Sequence, residues 1–321
     1  MKQKPARVNF FRLKPGKKGG VEEFKKNLEA TFSDVEKNNW KNVPTLELDD
    51  DKYYISSMQQ RMLDENYNGE ELYYWLITIS RVDFDQEIIL ADVTKTIDER
   101  RREVEHSDDE GLVVDTRIIF DPFRNILAIY AQRGTINTND LRKFICALVD
   151  RRGIQFEIIL NSDGYLRINK LDIVQQISYK VASPDNFKSY ANESRAEFAD
   201  FKFAKNAKGE ELTVIVKSNQ LEKKNVLKKA QDMLSTPDEV EVKSLTVDGI
   251  SDGVFDSIDL IKNKLVYKGN IEFNREIDNR AAYGLLNKAY DKYYSYLKSQ
   301  FKILQVKERI DGDEERKAKK E

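Results

Sequence analysis

The stretch Leu112-Val113-Val114-Asp115-Thr116-Arg117-Ile118-Ile119-Phe120, Asp121-Pro122-Phe123-Arg124-Asn125, Ile126-Leu127-Ala128-Ile129-Tyr130-Ala131-Gln132 reads as two strands around a turn. The outer runs are rich in β-branched and aromatic side chains, which suit a pleated, packed surface. Asp and Pro between them occupy favoured turn positions. The pattern predicts an antiparallel hairpin closed by the five-residue loop Asp121–Asn125. Gly134 ends the return strand, and Thr138 or Asn139 is placed to cap a helix. That helix carries Leu141, Phe144, Ile145 and Leu148 on its buried face and stops at Arg151-Arg152-Gly153.

Working outward, Tyr73-Tyr74-Trp75-Leu76-Ile77-Thr78-Ile79 is apolar in nearly every position. Such a strand is central and covered on both faces. Further strands are expected at Val8–Leu13, Lys52–Met58, Ile88–Val93 and Phe156–Leu160. Phe24, Leu28 and Phe32 recur every four residues and predict a helix from Val21. Thr96–Asp109 is charged and reads as a solvated loop or short exposed helix, and Asn161-Ser162-Asp163-Gly164 reads as a turn. Beyond it, Leu171–Ala182 fits either a strand or a helix. Glu211–Val216, Val240–Val247 and Ser257–Tyr267 read as strands, and Lys223–Leu234 as a helix. From Glu276 to about Ile310, Tyr283, Leu286, Tyr290, Leu297 and Phe301 mark a long helix.

The expected class is α+β: a mainly antiparallel sheet with flanking helices, a second smaller α+β lobe and a long C-terminal helix. The divisions fall at 1–160, 161–275 and 276–310, with a disordered tail at 311–321. The last helix is free to pack on either lobe or on a partner chain.

The 321 residues hold 54 Lys and Arg against 56 Asp and Glu, a net charge of −2, so a uniformly basic nucleic-acid coat is excluded. Any nucleic-acid binding must come from local patches. A single cysteine, Cys146, excludes an internal disulfide and a cysteine-based zinc site. A single histidine, His106, excludes paired-histidine metal motifs. No run of 18 apolar residues exists to cross a membrane, and the expected location is the cytoplasm.

Few residues offer catalytic chemistry. Pro15-Gly16-Lys17-Lys18-Gly19-Gly20 lacks the Ser or Thr of a phosphate-binding P-loop, although its amides and lysines suit a phosphate contact. Asp238 with Glu241-Val242-Lys243 has the letters of a metal nuclease, but only two residues separate the acids. Pairing Glu241 with the distant Asp185 is unconstrained. His106 sits among acids in a polar stretch, and Cys146 reads as a packed thiol. No catalytic residue, metal or cofactor is assigned.

Basic clusters carry more information. Phe201-Lys202-Phe203-Ala204-Lys205-Asn206-Ala207-Lys208 mixes aromatic rings with Lys202, Lys205 and Lys208. Lys223, Lys224, Lys228 and Lys229 put four cations within two helical turns, read as one face. Lys288, Lys292, Lys298 and Lys302 flank the last apolar stripe. Such lysines suit duplex phosphates and give affinity without sequence readout. On the last helix Tyr294 and Tyr296 point away from the main stripe, which suggests a homodimer interface built on them.

The segment Gly111–Ile145, with its strand, polar turn, Gln132-Arg133-Gly134 and Asn139-Asp140-Leu141-Arg142-Lys143-Phe144-Ile145, resembles the central segment of the Rex-type phage exclusion proteins. The chain is also similar in size and composition to the DNA-binding subunit of the Kiwa defence system. The resemblance implies a cytosolic, non-enzymatic, DNA-binding homodimer that senses phage infection, with a separately encoded membrane protein as effector. It also implies two lobes that move relative to each other. It assigns no individual DNA-contacting residue. A metal-dependent defence nuclease, and an interaction scaffold without nucleic-acid binding, stand as alternatives.

Overall fold

In the computed structural model the hairpin 112–131 lies at the centre of an eight-stranded sheet. The structure describes residues 2–16, 19–84, 89–92, 94, 96, 101–104, 107, 110–132, 134–150, 153–182, 203–204, 206–234 and 242–303. Its strands are β1 (Lys2–Lys14), β2 (Thr45–Leu48), β3 (Asp51–Tyr67), β4 (Glu70–Asp83), β7 (Leu112–Asp121), β8 (Ile126–Ala131), β9 (Gln155–Ile158) and β14 (Val266–Phe273). The order is β14-β1-β8-β7-β4-β3-β2, with β9 also on β1, and every pairing is antiparallel. A small separate pair joins β5 (Ile89–Ala91) to β6 (Arg101–Glu103). Part of the stretch expected as loop or helix is therefore a strand.

β4 shows how the sequence sets the layers. Side chains alternate across a strand, so Trp75, Ile77 and Ile79 enter one core while Tyr74 and Leu76 enter the other. The first core is closed by helices α1 (Val21–Glu36) and α2 (Thr138–Leu148) through Phe24, Leu28, Leu141, Phe144 and Ile145. The second is closed by the long helix α5 (Asn279–Gln300) through Tyr283, Leu286, Tyr290 and Leu297. The result is a helix–sheet–helix sandwich. α2 is capped by Asn137, whose side chain accepts from Asp140 N, and not by Thr138 or Asn139. The hairpin turn is Pro122–Asn125, because Asp121 still pairs with Ile126.

The C-terminal elements complete this sandwich. β14 pairs along β1 from Lys2↔Phe273 to Asn9↔Val266. The sequence division at 275 thus falls between two elements, β14 and α5, that both pack on the N-terminal sheet. The strand expected at Ser257–Tyr267 is two strands, β13 (Val254–Asp259) and the start of β14, split by the buried Leu260 and Leu265.

The second, four-stranded sheet runs β11 (Glu211–Leu221), β10 (Ile173–Ala182), β12 (Val242–Ser251), β13. Helix α4 (Lys223–Leu234) covers one face, where Val226, Ala230 and Leu234 meet Ile177, Tyr179 and Val247. Helix α3 (Ser162–Lys170) joins the two sheets; Asn161, expected in a turn, caps it by accepting from Gly164 N at 2.8 Å. The α+β class with mainly antiparallel sheets and a long C-terminal helix is borne out.

Candidate functional site

Lys170, Lys223 and Lys224 meet at the corner where α3 ends and α4 begins. Lys223 Nζ donates to the carbonyl oxygens of Asn169 (2.8 Å) and Leu171 (2.9 Å), closing the C-terminus of α3. Lys170, in the last turn of α3, is exposed beside it, and Lys224 follows Lys223. Lys224 and Lys228 are four residues apart, about 40° on the helix, and both are exposed. The opposite side of α4, Val226, Ala230, Met233 and Leu234, is buried. The four lysines of α4 therefore do not share one face. Lys224 and Lys228 face water, Lys223 is turned onto α3, and Lys229 lies 5.2 Å over the Tyr179 ring.

Cations meet a helix N-terminus at this corner, beside the carboxylates of Glu222 and Asp172. A helix N-terminus carries partial positive charge, so cations in the first turn are ordinarily disfavoured there. α4 nevertheless opens on Lys223 and Lys224 with no acid in its first turn. Glu222, just before it, is engaged by Asn225 Nδ2 at 2.6 Å. A phosphate there would meet the cations of this turn, while the amides of Asn225 and Val226 already donate to the Glu222 carbonyl (3.0 and 3.1 Å).

Lys208 is exposed, with a left-handed φ of 53°, in the turn that precedes β11. Lys202 and Lys205 lie outside the described residues. Phe203, beside them in sequence, is 73% exposed. Of the last basic group, Lys298 pairs with Glu65 at 2.9 Å and Lys292 lies over Tyr267 and Tyr293, while Lys288 and Lys302 are exposed.

The tyrosines expected at a dimer interface are engaged within the chain. Tyr294 OH donates to Glu65 of β3, and Arg124 lies 5.3 Å over its ring. Tyr296 OH donates to the carbonyl of Leu160 at 2.7 Å. Both hydroxyls are thus bonded within the chain, and the wide aromatic surface of α5 spans β3, the β7–β8 turn and the end of β9. Burial raises the Tyr294 phenol well above its ordinary range, and the Glu65 carboxylate adds to this. Burial also pushes the Glu65 carboxyl up, but bonds from Tyr294 and Lys298 and the Arg124 charge outweigh it and hold it low.

A second polar cluster seats the start of α5. Thr78 Oγ1 bonds the Tyr283 hydroxyl (2.8 Å) and Asn279 Oδ1 (3.0 Å). Arg117 donates to the same Asn279 oxygen (3.0 Å) and to Asp115 (2.9 Å), and Ser80 donates to Asp115 (2.7 Å). These groups satisfy one another between sheet and helix and form a structural seat.

The remaining candidates resolve simply. In the glycine-rich loop, Gly16 and Gly19 exchange amide bonds (3.0 and 3.1 Å) and Gly20 N donates to Glu23 (2.9 Å), so those three amides are already used. Lys17 and Lys18 lie outside the described residues, as do His106, Asp185, Asp238 and Glu241. Lys243 pairs with Glu211 at 2.9 Å. Cys146 is half-buried on α2 against the first core. Among the described residues no three His, Cys, Asp or Glu side chains gather at metal-ligating distance, and no helix is long and apolar enough to cross a membrane. Compared with known protein families, curated proteins and solved structures, the chain shows no significant match.

Proposed function

We propose that the chain is a non-enzymatic DNA-binding protein that holds duplex phosphates at the α3–α4 corner. The observation that carries the reading is the gathering of Lys170, Lys223, Lys224 and Lys228 around the acid-free first turn of α4. Cations placed against the helix dipole, as Lys223 and Lys224 are, are stabilised by a bound anion, and together with Lys170 and Lys228 they offer spaced charges to a nucleic-acid backbone. Lys208, at the opposite end of β11 from this corner, is a candidate for a separate phosphate contact. The phage-exclusion setting, with a membrane protein encoded nearby as partner, rests on the resemblance of Gly111–Ile145 alone.

Fluorescence anisotropy with a labelled duplex tests the assignment. Lys224→Glu with Lys228→Glu, both exposed and remote from the core, is expected to weaken binding at least tenfold without changing the melting temperature. Wild-type affinity in that variant would remove the corner from the interface.

A further inference from the structure

β14 ends the eight-stranded sheet, and among the described residues no strand pairs with its outer edge. Exposed edges are ordinarily guarded by shortness, proline, a bulge or charged side chains, of which β14 carries Lys268 and Glu272. The opposite edge, β2, is only four residues long. β14 has eight residues, no proline, and an unbroken register with β1. Phe10 N donates to Leu265 O at 3.3 Å. Antiparallel strands alternate their bonding direction, so Val266, Lys268, Asn270 and Glu272 turn their N–H and C=O groups outward.

We propose that β14 pairs with β14 of a second copy of this chain, antiparallel and centred on Asn270, extending the sheet across a two-fold axis. The sequence of the strand is self-complementary in that one register. Asn270 faces its own counterpart and exchanges both backbone bonds with it. Lys268 faces Glu272 of the other copy, twice by symmetry. On the α5 side Tyr267 faces Phe273, and Ile271 faces Gly269, over which the Tyr267 ring already folds. A shift by two residues loses both ion pairs.

The isolated chain also carries an imbalance that this pairing relieves. Lys268 stands directly opposite Arg7 of β1, and both are exposed. Like charges directly opposite in a ladder are unfavourable. In the paired sheet a Glu272 carboxylate lies on the other side of Lys268. Gln3 Nε2, donating to Glu272 Oε1 at 2.9 Å, holds that carboxylate over the same face. The surface is independent of the α3–α4 corner, so its failure and the failure of DNA binding are separable.

Sedimentation velocity tests the proposal. The added area of one strand pair is modest, so a reversible dimer is expected, rising between about 1 and 100 µM. Lys268→Glu places like charges opposite each other twice and should weaken the dimer at least tenfold. It also removes the clash with Arg7, so the melting temperature of the monomer should hold or rise. Glu272→Lys should weaken the dimer similarly, and the exchange of both residues in one chain should restore it. A wild-type chain that stays monomeric throughout, a dimer indifferent to either reversal, or a double exchange that fails to recover would each overturn the proposal.

Discussion

The Tyr290 hydroxyl donates a 2.6 Å hydrogen bond to the fully buried carboxylate of Asp121, tying the last helix to the turn of the central hairpin across 169 residues of chain. Asp121 also accepts from Phe123 N (2.8 Å), Arg124 N (3.2 Å) and the Arg124 guanidinium (3.4 Å), and Arg124 itself is 1% exposed. The hairpin turn is therefore internal, and its charges are compensated by α5 and Glu65. Tyr290→Phe should cost about 1.5–3 kcal/mol, the range for a bond to a charged group. Asp121→Ala should cost more, about 3–5 kcal/mol, because it leaves the Arg124 charge buried with one partner fewer. Urea unfolding of each variant measures both, and an Asp121→Ala loss below that of Tyr290→Phe would contradict the network.

Several buried phenols tie stability to alkaline pH. Burial raises Tyr53 to about 12, with the nearby Asp140 and Asp51 adding to the shift, and burial likewise raises Tyr74, Tyr130, Tyr283, Tyr290 and Tyr294. A folded value above the unfolded one means that the stabilisation is complete below the unfolded tyrosine value of about 10. It is lost as pH rises toward the folded values. Stability should be flat in this respect up to about pH 9 and then fall. Tyrosinate absorbance from these residues should rise together with loss of circular dichroism. Their full ionisation in a still folded chain would refute the linkage.

Two glycines should respond oppositely to alanine. A Cβ at Gly249 would lie 2.3 Å from the Ile173 carbonyl oxygen, where β10 and β12 pair beside a register shift. Gly249→Ala should destabilise by about 1–3 kcal/mol through that overlap. Gly284, inside α5, has nothing within 4 Å of the added carbon. Gly284→Ala should stabilise by about 0.5–1 kcal/mol from helix propensity. Thermal melts of the two variants with the same sign would contradict this reading of the packing.

Incubation with plasmid in Mg²⁺ or Mn²⁺ should leave the DNA intact, because only two residues separate Asp238 from Glu241. Cutting that disappears in Asp238→Ala or Glu241→Ala would restore the nuclease reading.

Local patterns made the centre of the fold legible and left its closure hidden. The hairpin 112–131, the doubly buried β4 and helices α1, α2 and α4 follow from periodicity and turn residues over short distances. The sequence of β10 fits either a strand or a helix for a physical reason. A bulge between Val174 and Gln176 puts Val174 and Ile177 on one face three residues apart, which imitates a helix. The full length of β3 and β4 had a local signal in Asn68-Gly69, whose positive φ values of 53° and 85° make the hairpin turn. The pairing of Lys2 with Phe273 has no local signature at all. For the site, the lysines of α4 were visible as a cluster. Their division into solvent-facing and packed members depends on the end of α3, which spacing within α4 does not encode. The same holds for Tyr294 and Tyr296, whose partners Glu65 and Leu160 are distant in sequence.

DNA binding at the α3–α4 corner is tested most directly by the dependence of duplex affinity on salt. Four lysine–phosphate contacts predict that log K falls with log salt at a slope near −3 to −4, at about 0.9 per contact. Lys224→Glu with Lys228→Glu should bring that slope toward zero by about 2. Binding that is absent at low salt, or a slope unchanged by the two substitutions, would contradict it.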